Sequence, residues 1–186
     1  MAKTQLRFDN ALYPTPVVLV TSAGSDGIPN VMTASWVGIL NSDPSYVYIS
    51  IDESRYSCTL IKETGEFVIN LVDESMVRCL DQCGMSSGKE GSKCSRVGLT
   101  LTPASQVKAP LILEAKVHLE CRTRQLIEIG SQQVFVSEVV ATQADESVLD
   151  SNGYLDNTKL KPVAYIGHEY WGISGLLGRY GFTNNG

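Results

Sequence analysis

Three strand-like runs succeed one another between residues 16 and 51 with only turn-forming residues between them, and that succession constrains the fold more than any other feature of the chain. Val17-Val18-Leu19-Val20-Thr21 is mostly β-branched, the composition of a buried strand, and places the first run at about Pro16 to Ser22. Gly24-Ser25-Asp26-Gly27-Ile28-Pro29-Asn30 then collects residues that accept positive φ or preset a bend, so the chain reverses as a hairpin. The second run, Val31 to Leu40, is expected as one continuous strand on which Thr33 and Ser35 share a face, because strand side chains repeat every two residues. After Ser42-Asp43-Pro44 the third run, Tyr46 to Ile51, alternates large and small residues. The expectation is a three-stranded meander.

Helix signals are sparse. Cys58 to Glu63 reads as a helix stopped by Gly65, and Glu66 to Leu71 resumes strand character. Met76, Val77, Leu80 and Cys83 recur at helical spacing within Glu74 to Cys83, with Gly84 as the stop. From Met85 to Ala109 the chain is rich in Ser, Gly and Lys and is expected to be a long functional loop with a strand-like hint at Leu99 to Leu101. Strands are expected at Leu113 to Arg122, Gln133 to Thr142 and Pro162 to Ile166. Six or seven strands with two helices and early hairpin turns point to a barrel or sandwich, not to a doubly wound sheet. Neither the dinucleotide G-x-G-x-x-G nor the P-loop G-x-x-x-x-G-K-[ST] is present.

Composition narrows the partners. At 186 residues, 43% hydrophobic and 19% charged, the chain is expected to fold as one domain over residues 1–186. A formal charge of -5 with scattered cations argues against nucleic acid. The N-terminal residues carry no apolar signal core and no run is long enough to span a bilayer, so no membrane association and a cytoplasmic location are expected. Five cysteines without CxxC pairing give no disulfide framework; Cys79 and Cys83 share a helical face but lack further ligands at metal spacing, so no metal is expected. His118 and His168 have no ligand spacing to each other, and no Ser-His-Asp arrangement follows from their positions, so the catalytic residues stay unassigned.

The residue types near the first hairpin suit an anion. Asn30, Thr33 and Ser35 offer an amide and two hydroxyls beside a tight turn, and Arg55, Lys89 and Lys93 supply charge. Thr and Ser are also ordinary strand and turn residues, so residue types alone leave both readings open. Ser86-Ser87-Gly88-Lys89 and Gly91-Ser92-Lys93 read either as a donor-rich loop over a ligand or as solvated surface. Trp36, Tyr170 and Trp171 suit stacking on a planar ring or packing in a core or interface.

Taken together, the segments resemble the flavin reductase-like FMN-binding proteins, and within them the flavoredoxin-like group. The resemblance rests on Tyr13 to Ser22, Asp26 to Trp36, Ile49-Ser50-Ile51, Arg55-Tyr56-Ser57, Gly65 to Leu71, Cys83-Gly84, Ser87-Gly88, Lys93 and Tyr170-Trp171, in that order along nearly the whole chain. It implies a mainly β, α+β fold, a split β-barrel with a few flanking helices. It implies a homodimer with FMN held non-covalently near the subunit interface. By that likeness Asn30, Thr33, Ser35, Arg55, Ser57 and Lys93 serve the phosphate and ribityl end, and Met32, Ala34, Trp36, Ser50 and Asn70 the isoalloxazine, with Trp171 as a further wall.

The implied activity is an FMN-dependent oxidoreductase passing electrons from NADH, NADPH or a protein donor to an acceptor. The alternative is an electron carrier or binding module with little reductase activity of its own. A third reading is a barrel of this kind that no longer holds the cofactor. Gly130 to Glu138 departs from the pattern: Gln132 stands where related sequences tend to have His, and Ser137 where they have Gly, so substrate or partner chemistry is expected to differ.

Overall fold

Residues 1–5, 10–91 and 93–184 are described by the structure, a computed structural model of the chain. Ser92, part of the expected donor-rich loop, lies outside the described residues. In chain order the elements are β1 (Thr15–Pro16), β2 (Val18–Ala23), β3 (Pro29–Ala34), β4 (Val37–Ser42), β5 (Ser45–Asp52), α1 (Tyr56–Thr64), β6 (Glu66–Leu71) and α2 (Val77–Met85). There follow α3 (Lys93–Arg96), β7 (Leu101–Thr102), β8 (Leu111–Ile112), β9 (Val117–Ile129), β10 (Gln132–Ala144), α4 (Asn157–Leu160), β11 (Val163–Ile166) and β12 (Glu169–Gly172).

The main sheet has the order β3-β2-β6-β9-β10-β5-β4, antiparallel throughout. Its two edge strands, β3 and β4, are consecutive in the chain and separated only by Ser35 and Trp36. The three Cα–Cα steps from Ala34 to Val37 reach at most about 11 Å, so the edges of the sheet must come together and the sheet must curl into a barrel. A backbone bond from Ser50 N–H to the Trp36 carbonyl, 2.8 Å, carries the β4–β5 pairing one residue into that link. The structure therefore corrects the expected meander. The run from Val31 to Leu40 is two strands, because a barrel closed at this point needs the chain to leave one edge and enter the other.

Period-two burial follows. Val18 and Val20, Val47, Ile49 and Ile51, and Phe67 and Ile69 point inward with Val37, Cys121 and Phe135, and Cys58 and Ile61 of α1 pack into the same core. On the outer side of β2 and β3, Leu19 and Val31 pack with Met76, Leu80 and Cys83 against α2. Strand β2 is thus buried on both faces, which is why its sequence is a continuous apolar run rather than an alternating one. Gly65 ends α1 at φ 70°, its N–H reaching the Ile61 carbonyl at 2.8 Å, the left-handed cap its position suggested.

Three further boundaries differ from expectation. Helix α2 runs through Gly84 to Met85 after a 3₁₀ turn over Glu74–Met76. The stretch Met85 to Ala109 contains a 3₁₀ turn at Gly88–Glu90, α3 and β7. Strands β9 and β10 extend to 13 residues each, with bulges between Val136 and Ser137 and between Val139 and Ala141. Ser137 is fully buried and its hydroxyl faces Thr123 at 3.4 Å, so the added side chain is absorbed inside the sheet. Among the described residues no helix is long and apolar enough to cross a membrane.

Candidate functional site

A cavity of about 540 Å³ opens at the seam of the barrel, within the range of small-molecule and cofactor sites. Its walls come from β3 and the Ser35-Trp36 link, the end of β5, the start of α1, the last turn of α2, residues 86–88, Lys93 and Gln132. Ten of the residues the sequence singled out meet there: Asn30, Met32, Thr33, Ala34, Ser35, Trp36, Ser50, Arg55, Ser57 and Lys93. The reason is topological. Closing the barrel brings the end of β3 beside β5, and α1 begins directly after β5, so segments distant in sequence face one space.

Lys93 carries the strongest electrostatic signal. It is 4% exposed, and its ammonium donates to the carbonyls of Cys83 at 3.0 Å and Ser86 at 2.7 Å. Two of its three donors are spent on neutral carbonyls. Burial pulls its pKa below the ordinary lysine value; the neighbouring Cys83 and Cys94 oppose that shift, and the cations Arg55 and Arg96 add to it. A buried cation next to further cations is costly unless an anion joins it.

Helix α1 adds to that field. Arg55 occupies its N-cap with extended backbone, no side chain caps the helix, and no acidic residue lies in its first turn. The first residues of the helix, Tyr56 and Ser57, line the cavity, so the positive end of the helix dipole lies at its wall. Asn30 donates to the Ser57 hydroxyl at 2.8 Å, tying β3 to that helix start. Gly88 lies so close that a Cβ there would overlap the Asn30 carboxamide and stand 2.9 Å from the Tyr56 ring, so backbone forms that wall. Thr33 spends its proton on the Leu80 carbonyl and anchors α2. Cys83 borders the cavity, but burial pushes its thiol up to about 12, which leaves it protonated and unreactive at neutral pH.

Two expected residues stand elsewhere. Asn70 is fully buried in the sheet, where its amide donates to Leu19 O, Thr21 Oγ1 and Val68 O, and its oxygen meets Ile112 N–H and His118 Nδ1. With its hydrogen-bonding capacity engaged it is a structural cross-link, and it does not line the cavity. Trp171 lies on β12, half-exposed, bonded to Glu169 and outside the cavity wall. His168 sits in the turn before β12 with its ring near the Tyr165 hydroxyl.

Sequence reasoning missed Asp52, Ser54 and Met85 as wall residues, whereas Ser86, Ser87 and Gly88 of the expected donor-rich loop do line the cavity. Asp52 accepts from the Ser54 N–H at 3.0 Å, the Ser54 hydroxyl at 2.6 Å and the Ser131 hydroxyl at 2.8 Å. The Ser54 and Ser131 bonds hold its carboxyl below the usual carboxylate range. The Asp-x-Ser spacing just before Arg55 was the available signal for this turn.

The comparisons with known proteins agree with this architecture. Residues 10–174 match the family described as flavin reductase like domain. The flavoredoxin of Desulfovibrio vulgaris (Miyazaki F) is similar over 96% of this chain and 97% of its own, with 32% identity and a TM-score of 0.90. A flavoredoxin from Methanosarcina acetivorans covers 98% of both chains at 27% identity and a TM-score of 0.89. An uncharacterized Archaeoglobus fulgidus protein is 37% identical over 69% of this chain and 72% of its own. The split barrel, its seam cavity and these likenesses lead to one conclusion: this chain belongs to the flavin reductase-like domain family.

Proposed function

We propose that the seam cavity binds FMN non-covalently and that the protein is an oxidoreductase using it to pass electrons from NADH, NADPH or a protein donor to an acceptor. The observation that carries this reading is Lys93, a buried ammonium without an acidic partner among the described residues, set beside Arg55 and the uncapped start of α1. That donor set fits a phosphate, which takes two parallel bonds from a guanidinium and further N–H groups from a helix start. The likeness to flavoredoxins, and to a structure described as an FMN-binding domain of a flavin reductase-like enzyme, supports flavin as the rest of the ligand.

Arg55, Lys93, Ser57 and the α1 N–H groups would hold the phosphate. Asn30, Ser35 and Ser50 would meet the polar middle and ring edges, and Met32, Ala34 and Trp36 would flank the ring. Bound there, FMN supplies reversible two-electron chemistry that no side chain provides; the residues bind, orient and exclude water around it.

A homodimer belongs to the same reading. Trp36 stands exposed at the cavity, Ile39 and Leu40 on edge strand β4, and Ile173, Leu176, Leu177, Tyr180 and Phe182 along the C-terminal stretch. Large apolar side chains left exposed on an edge strand and a terminal stretch suit a second copy of the chain, which would also cover the open side of the cavity.

The test is an absorbance spectrum of the purified, desalted protein after incubation with FMN or with riboflavin, followed by NADH or NADPH without oxygen. A retained FMN band, a much weaker riboflavin band and bleaching by the nicotinamide are expected. Equal retention of riboflavin overturns the phosphate assignment. A retained band that no nicotinamide bleaches replaces the reductase with a carrier fed by a protein donor, and no retained flavin of either kind overturns the cofactor.

A further inference from the structure

On the cavity wall beside Arg55, whose N–H donates to the Asp52 carbonyl at 3.0 Å, β10 begins at Gln132, which pairs directly with Asp52 of β5. Val134 pairs with Ser50 two residues on, so Gln132, Asp52 and Ser50 share one face and are diagonal neighbours. Ser50 donates its hydroxyl to Gln132 Oε1 at 3.2 Å, and Gln132 Nε2 reaches Asp52 Oδ2 at 3.4 Å. All three residues border the cavity.

The orientation of the carboxamide is decided by chemistry. Asp52, ionised and already bonded to Ser54 and Ser131, only accepts, so the NH₂ of Gln132 must face it and Oε1 must face Ser50 and the cavity. The turn that delivers Gln132 is itself tied down: Gly130 takes φ 59°, and Ser131 accepts the Glu53 N–H at 2.9 Å through its carbonyl. The wall therefore presents a fixed, neutral acceptor with a free lone pair.

We propose that Gln132, held by Asp52, is a ligand-binding residue that accepts a hydrogen bond from an amide-type N–H. The proposal rests on the flavin reading, in which two groups carry such an N–H: the ring imide of FMN and the carboxamide of a nicotinamide. Gln132 touches the ligand, and Asp52 acts through it as a positioning residue.

The experiment measures two affinities in the full-length protein: FMN for the flavin-free form, by fluorescence quenching, and NAD⁺ for the FMN-loaded form, by perturbation of the flavin absorbance. Q132L is expected to weaken one of them about three- to tenfold, the loss of one neutral hydrogen bond. Loss in the FMN arm identifies the ring imide and loss in the NAD⁺ arm the carboxamide. D52A is expected to weaken the same arm, and D52N, which can still accept through its amide oxygen, to restore it. A purely structural role for Asp52 would lower thermal stability without that arm-specific rescue. Both affinities unchanged in a folded Q132L overturn the proposal and leave the flavin reading standing. A wild-type protein that takes up no FMN overturns that reading and this proposal with it.

Discussion

Lys93 shows how a single residue reports a missing partner. Its ammonium is buried against two carbonyls, and its folded-state pKa lies below the unfolded value because burial disfavours the charged form. Between those two values the unfolded chain binds more protons than the folded one, so the ligand-free protein gains stability as pH rises through that window. An anion in the cavity opposes the shift. K93M is therefore expected to leave the ligand-free protein as stable or raise its melting temperature, while weakening FMN by about 1.5–3 kcal/mol, the range for a hydrogen bond to a charged group. Thermal melts with and without FMN check both halves. A variant that lowers the melting temperature and keeps full FMN affinity overturns the role. Arg55 and Lys93 were legible in the sequence as cations near a hydroxyl-rich strand. That one is solvent-facing and the other sealed in depended on α3 folding under the last turn of α2.

At the scale of elements, the stretch 85–109 is held by a side chain far from it. Glu120 of β9 is fully buried and accepts from the N–H groups of Ser105, Gln106 and Val107, the Ser105 hydroxyl and the Gln143 amide. Burial alone would raise its carboxyl, but bonds from Ser105, Gln106 and Gln143 outweigh it and leave the pKa below the ordinary value. A depressed folded pKa means stability that is present above the unfolded value, near 4.5, and lost as pH falls through the folded one. E120Q replaces one acceptor oxygen by a donor and is expected to cost about 1.5–3 kcal/mol at pH 7. In urea titrations that difference should shrink as pH falls from the unfolded value through the lower folded one; a difference independent of pH overturns the ionised clamp. A loop rich in Ser, Gly and Lys was the natural reading of this segment. Its donors are satisfied by a residue 13 to 15 positions downstream, which no local pattern reveals.

For the whole molecule, the two-residue link between opposite sheet edges is what makes a barrel and what makes the site. The homodimer proposed above predicts a mass by light scattering of twice one chain, and substituting Asp for Ile39, 80% exposed on edge strand β4, should shift it toward one. A wild-type mass of one chain overturns the dimer. The resemblance carried by the ordered motifs already implied a split barrel and ten of the cavity's residues, because strand runs, hairpin turns and the Gly65 cap are local chemistry. The break at Ser35-Trp36 was not legible, since no Pro or turn-forming cluster interrupts the run from Val31 to Leu40 and only closure of the sheet requires a corner there. That Asn70 bonds within the sheet and does not line the cavity was not legible for the same reason: a buried amide on a strand looks identical in sequence whether it meets a ligand or other strands. By itself, then, the sequence determined where the long strand runs and the first two helices form, through propensities that act over a few residues. Which side chains share the cavity, which way Gln132 points and where Lys93 is buried were decided by the tertiary structure, because they depend on contacts between residues tens of positions apart that exist only once the barrel has closed.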